Sequence, residues 1–399
     1  MGAPARELLP PLLVFADDWG RHPSSCQHLV RQLLGRYTVH WVNTIGMRKP
    51  RFDLATLRRG VEKLRHWARR PGPRPDLPPG LHVHSPWMWP WLSTSLDRQL
   101  NRRLLVRQLT RLIATMPRPP IAITTVPVVA DLIGELPVER WVYYCVDDFG
   151  EWPGLDGAAL RRLEGPLVRR ADRIIAVSEA LREKLARMGR SAELLTHGVD
   201  LEFWSAGAGG ELPPQLNGLE RPLVVYWGVV DRRLDAGWVT RLAAELTRGT
   251  VVLVGPQDEP DPQLLAAPRV VHVPPVWFEQ LPAIGHASAV LIMPYTDLPV
   301  TRAIQPLKLK EYLATGRPVV ARELPSTRLW ADSLDLADGA EAFSRAVQVR
   351  IRTGLTEEQR RARGRLAGES WREKARLFER WAIEPEQSLT SVREQRFAV

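Results

Sequence analysis

At 399 residues, 44% apolar and 25% charged, the chain has room for two globular domains and the composition of an ordinary water-soluble protein. No apolar run reaches the roughly 20 residues of a membrane-spanning helix, and its two cysteines, Cys26 and Cys145, stand in no metal-ligand spacing, which excludes a disulfide scaffold and fits a reducing cytoplasm. The net charge of +10 is concentrated early: residues 1–120 carry 20 Lys and Arg against 7 Asp and Glu, so this part meets an anionic partner or is simply an arginine-rich solvated surface.

The opening, MGAPARELLPPLLVFADDWG, reads as the lead into a first strand that Asp17 and Asp18 end, not as a secretory signal. Arg6 stands where a myristoylation signal needs Ser or Thr. Short β-rich runs then alternate with helical periods. Strands are predicted at 12–16, 38–42, 81–84, 121–124, 141–145, 173–177 and 193–196, with helices at 27–34 and 179–188, the latter capped by Ser178. Residues 205–221, SAGAGGELPPQLNGLER, lack an apolar period and read as a linker. The alternation resumes with strands at 223–227, 251–254, 270–273, 290–293 and 318–321, and helices at 237–247 and 307–315.

Strands alternating with helices imply parallel sheets covered on both faces. Two such blocks imply two Rossmann-like domains, with ligands at the carboxyl ends of strands and in a cleft that both sheets face. The expected division is 1–204, the linker 205–221, a second domain at 222–370, and a helical segment 371–399 that can pack back on the first domain.

Within PLKLKEYLATGRPVV (306–320), Pro306 suits a helix start and Gly316 the residue after its end. The helix N-terminus would face the strand ends, where backbone N–H groups bind anions. Lys308 opposes the helix dipole in the first turn, which points to a role other than helix stability. Glu311, one turn later, suits hydrogen bonds from a ribose diol. A plain amphipathic helix with Leu307, Leu309, Tyr312 and Leu313 inward is the alternative.

This segment resembles the nucleotide-sugar segment of GT-B glycosyltransferases, in the retaining group that includes bacterial polysaccharide and lipid-sugar transferases. RIIAVSEA (173–180), HGVDLEF (197–203), YWGVVDRRLD (226–235), VLVGP (252–256) and AVLIMPY (289–295) resemble further segments of that family, in its order. The resemblance implies a glycosyltransferase that takes UDP-, GDP- or dTDP-sugars, needs neither metal nor cofactor, and serves a glycan, polysaccharide or lipid-linked acceptor. It implies Glu311 at the ribose, Pro306 and Leu307 facing the diphosphate, and Gly228 with Arg232 or Arg233 in the phosphate loop. The sequence departs from the pattern where the family's paired glutamate would stand, at Ala303, and at Val229 and Leu234. A GT-B nucleotide-sugar epimerase and a nonenzymatic sugar-nucleotide binder are the alternatives, since fold does not fix chemistry. No nucleic-acid motif is present, and no nucleic acid is expected as partner.

In the first domain, WVYYCVDDFGEW ends in Asp147 and Asp148, where relatives often carry a His near the sugar; either carboxylate would orient hydroxyls or serve as a base, or merely cap a helix. Asp17, Trp19 and Gly20 after the first strand, and His197 at the domain seam, are placed on the acceptor side. Residues 51–70 form a basic amphipathic stretch suited to an anionic membrane surface, with Trp87, Trp89 and Trp91 as added anchors. The expected location is the cytoplasm or the inner face of the membrane.

Overall fold

The computed structural model describes residues 9–20, 24–44, 47 and 77–385; the basic stretch 51–70 lies outside them. The chain divides into two compact units. One runs to Leu195 and resumes at Ala375; the other runs from Thr196 to Lys374.

The first unit holds a seven-stranded sheet of order β3-β2-β1-β4-β5-β6-β7. Its strands are β1 Leu12–Ala16, β2 Val39–Asn43, β3 Leu81–His84, β4 Ile121–Thr124, β5 Arg140–Cys145, β6 Arg173–Ala176 and β7 Glu193–Leu194. Every pairing is parallel. The reason is visible in β1 and β4, where LLVFA and IAIT are buried throughout, as strands covered on both faces must be. Helices α1 Ser25–Leu33, α2 Ser95–Ile113, α3 Gly157–Arg170 and α4 Glu179–Arg187 accompany the sheet. Ser178 caps α4 by accepting from the Leu181 N–H at 3.3 Å. The strand order reverses between β1 and β4, so the loops after these two strands flank the switch point at which such sheets bind ligands.

The second unit holds a six-stranded sheet of order β12-β10-β8-β13-β14-β15 and a small pair, β11-β9. Its strands are β8 Leu223–Trp227, β9 Val230–Asp231, β10 Thr250–Val254, β11 Gln257–Asp258, β12 Val270–Val273, β13 Val290–Met293, β14 Val319–Arg322 and β15 Asp335–Ala337. Here the order reverses between β8 and β13. Helix α5 Ala236–Glu245 follows the loop after β8, and α6 Leu307–Ala314 follows β13. Pro306 takes the cap position, so Leu307 opens α6, and Gly316 adopts the left-handed φ of 73° just past its end.

The Gly- and Pro-rich stretch 205–221 lies inside the second unit instead of joining the units. Leu216 is buried, and a Cβ at Gly207 would come within 2.4 Å of Pro282, so this glycine serves close packing. Helix α7 Trp371–Phe378 leads the chain back into the first unit. There Tyr37 donates to Glu379 at 2.6 Å, and Arg140 reaches the carbonyls of Ile383 and Glu384 at 3.2 and 3.1 Å.

Candidate functional site

The end of β8 and the start of α6 meet at Gly228. Its φ of 135° favours glycine, and a Cβ would lie 2.2 Å from the Lys308 Nζ. Gly255, at the end of neighbouring β10, has φ 138°, and a Cβ there would strike the Gly228 carbonyl at 2.1 Å. Two glycines therefore let adjoining strand ends and a lysine close against one another.

Lys308 is half-buried. Its ammonium donates to the Tyr226 and Tyr295 hydroxyls at 2.9 and 3.0 Å and lies 4.4 Å from the Tyr226 ring centre. Tyr226 in turn donates to the Val229 carbonyl at 3.0 Å. Among the described residues Lys308 makes no ion pair with a carboxylate. Burial pushes the Tyr226 phenol well above its ordinary value. Burial also raises Tyr295, but Lys308 and Arg233 outweigh it and leave that phenol below its ordinary value.

Glu311 lies one turn further along α6. The Trp227 Nε1–H donates to it at 3.4 Å. Burial pushes its carboxyl up to about 7, against the pull of Trp227 and Lys308. Trp227 is itself fixed: its N–H donates to the Tyr312 hydroxyl at 2.9 Å, and its ring stacks on Trp204 at 5.5 Å.

The opposite face of α6 is anchored by Lys310, which is 2% exposed. Its ammonium donates to the His197 carbonyl, to Glu369, and to the Thr196 hydroxyl at 3.2 Å. Lys374 reaches the same Glu369 oxygen at 2.7 Å. Burial lowers Lys310 to about 8, with Glu369 opposing.

The two arginines expected in a phosphate loop part company. Arg233 is buried and folded onto Asp231 at 2.7 Å, while Arg232 is exposed, 3.7 Å from Glu259. Ala303, buried in the short helix Pro299–Ala303, offers no polar atom beyond its backbone. The structure thus brings together Gly228, Pro306, Leu307, Lys308 and Glu311, and adds Tyr226, Tyr295 and Trp227. These three aromatics stand in the YWG and MPY runs. The sequence-level signal for them is that a buried Tyr or Trp needs a partner for its polar tip.

In the first unit, Asp17, Trp19 and Gly20 form the loop after β1, at the switch point. The Asp17 carbonyl accepts from the Trp41 indole at 2.9 Å, and the Trp19 N–H donates to Asn43 at 3.1 Å. Gly20 turns at φ 77°. Asp147 and Asp148 follow β5. Asp148 is engaged by Lys184 at 2.8 Å; Lys184 also binds buried Glu164 at 2.6 Å, which accepts from Tyr143 at 3.0 Å. Asp148 therefore serves this ion network, and Asp147 is half-buried beside it. His197 is buried in the second unit, its ring 6.3 Å from Trp371. Cys26 and Cys145 are buried free thiols. No group of three His, Cys, Asp or Glu among the described residues is placed to hold a metal, and no helix among them is long and apolar enough to cross a membrane.

No family model matches the chain. Among curated proteins, it is 30% identical over 176 residues to the putative teichuronic acid biosynthesis glycosyltransferase TuaH of Bacillus subtilis, a match over 42% of this chain and 44% of that one. The match thus spans less than half the length of that relative. Among solved structures, a sucrose-phosphate synthase from Thermosynechococcus elongatus superposes with a TM-score of 0.66 at 17% identity, over 98% of this chain and 99% of that one. An E. coli trehalose-6-phosphate protein bound with UDP-2-fluoro glucose gives 0.63 at 13% identity, over 94% and 99%. The Anabaena protein HepE in complex with UDP-glucose gives 0.58 at 13% identity, over 98% and 100%. The fold is GT-B: two α/β units, each with its own parallel sheet.

Proposed function

We propose that the chain is a glycosyltransferase. It moves a sugar from a nucleotide-diphosphate donor to a glycan, polysaccharide or lipid-linked acceptor of the cell surface. The carrying observation is Lys308: a half-buried ammonium, oriented by two phenols, that forms no ion pair among the described residues and whose charge reaches the Glu311 carboxyl without direct contact. Such a group is built for an anion brought from outside. A diphosphate at the start of α6 would meet both this cation and the first backbone N–H groups of the helix. The same contacts would stabilise the negative charge that builds on the departing nucleoside diphosphate, without requiring a metal. Glu311 would then receive the ribose hydroxyls.

The name of the relative and the UDP-sugar complexes among the structural neighbours support this reading, and make a UDP-sugar the first donor to test. Retention at the anomeric carbon and action at the inner face of the membrane are part of the proposal, from resemblance. A binding and turnover screen over UDP-, GDP- and dTDP-sugars tests it. Transfer to an acceptor distinguishes a transferase from an epimerase, which returns an altered nucleotide sugar. Binding without either product would reject the enzyme.

Glu311 gives the screen an internal check. Ribose hydroxyls donate best to an ionised carboxylate, so affinity for the donor rises with pH and is lost as pH falls through about 7. Glu311→Gln should flatten this profile over pH 6 to 8 and weaken donor binding by roughly tenfold or more, the worth of a hydrogen bond to a charged group. Isothermal titration with the intact nucleotide sugar reads both. An established donor affinity that survives Glu311→Ala would remove the carboxylate from the site.

A further inference from the structure

We propose that the outer face of α2 is a docking surface for an anionic lipid bilayer. Four of the seven large apolar side chains exposed among the described residues gather here: Trp87, Trp89, Leu96 and Leu100. Leu96 is 74% and Trp87 61% exposed. Leu96, Leu100, Arg103, Arg107 and Arg111 follow one another at spacings of three and four residues, so they form a single stripe along the helix, and all five are exposed.

The tryptophans are held beside this stripe by the backbone. Gln108 brackets Trp87, accepting from its N–H and donating to its carbonyl, both at 2.9 Å. Asn101, itself buried, accepts from the Trp89 N–H at 2.7 Å and donates to the Trp89 carbonyl at 3.0 Å. The indoles are thus presented by a fixed frame.

Charge divides along the helix. Arg98 and Arg102 are neutralised by Asp131 and Glu135 at 2.6 and 3.1 Å. Arg103, Arg107 and Arg111 pair with no carboxylate among the described residues. Apolar side chains and tryptophans beside unpaired arginines match the boundary between acyl chains and anionic headgroups. A polynucleotide would use the arginines but would leave the leucines exposed, since leucine offers no base-stacking face.

The proposal does not rest on the transfer reaction, because donor binding without vesicles tests that separately. Vesicles of phosphatidylcholine with and without phosphatidylglycerol are sedimented with the full chain. Binding is expected only to the anionic vesicles. Arg103→Gln, Arg107→Gln and Arg111→Gln together should weaken it by roughly a hundredfold, at about fivefold per basic residue. Trp87→Ser with Leu96→Ser should weaken it with no change of net charge. Because both native cysteines are buried, Leu96→Cys can carry an environment-sensitive dye, whose emission should shift to the blue on anionic vesicles. The proposal is overturned by equal binding to neutral vesicles, by unchanged binding of the triple variant, or by no dye response. It is equally overturned if only charge reversals within 51–70 abolish binding, or if the triple variant loses oligonucleotide binding while keeping vesicles.

Discussion

Lys308→Met lowers kcat/KM for the nucleotide-sugar donor by about 10²–10³-fold, the loss seen when one preorganised donor to a developing oxyanion is removed. Methionine keeps the length and apolar stem of lysine and deletes the charge. The folded state gives up little, because Lys308 forms no ion pair among the described residues and its hydrogen-bond partners are two tyrosine hydroxyls. Taking a half-buried ammonium out of the protein removes a desolvation cost. Thermal stability should therefore hold or rise while turnover falls, and that opposition separates a binding lysine from a structural one. Arginine does not substitute. Its planar fork needs more width than the space between Gly228 and the two phenols, where even a Cβ would stand 2.2 Å from the ammonium. Steady-state kinetics of Lys308→Met and Lys308→Arg, with a melting curve for each, decide the matter. A change below threefold in kcat/KM would move the anion site elsewhere on the sheet.

The sequence made the sheets legible because parallel strands are buried on both faces and read as short apolar runs; LLVFA at β1, LVVYW at β8 and VLIM at β13 fall where such runs predict. Pro306 and Gly316 made the limits of α6 legible for the same kind of local reason. What stayed hidden depends on distance along the chain. Tyr226 and Lys308 are 82 residues apart, and nothing local tells a phenol that it will orient that ammonium. Arg232 and Arg233 are adjacent, and only the turn through Asp231 decides that the second folds inward. The stretch 205–221 carried the composition of a linker, while Gly207 is there used for close packing against Pro282. α2 shows why a long helix escapes notice: its apolar residues are spread around the helix, with Leu105, Leu109 and Ile113 buried along one side and Leu96 and Leu100 exposed on the other, so no single apolar face stands out.

Glu369→Gln should destabilise the protein by about 3 kcal/mol, more than the loss of either lysine bound to it. Glu369 is the single anion among the described residues between Lys310 and Lys374, both buried, and both ammonium groups also share the Thr196 hydroxyl. Glutamine leaves the two cations side by side with neutral acceptors alone. Lys310→Met acts differently, because Glu369 keeps Lys374 at 2.7 Å and an apolar chain of similar volume fills the buried space. Its cost should be about 1 kcal/mol or less. The double variant should therefore be more stable than Glu369→Gln, a coupling that a simple count of ion pairs would not give. The pH dependence follows from the two shifts. Burial raises the Glu369 carboxyl, but Lys310 and Lys374 outweigh it, so its contribution is present above the ordinary glutamate value and is lost as pH falls through its lowered one. Lys310 is lowered to about 8 from 10.5, so the unfolded chain holds more protons between these values and stability from this group rises with pH across that window. Urea denaturation of the four proteins at pH 7, and of the wild type from pH 4 to 10, reads every term. Equal losses for Glu369→Gln and Lys310→Met would mean that the lysines do not share one counter-charge. An intact cluster matters to the site because Lys310 stands between Lys308 and Glu311 in sequence but points to the other side of α6. The ion cluster that fixes one face of this eight-residue helix thereby sets where the face proposed to bind the anion can stand.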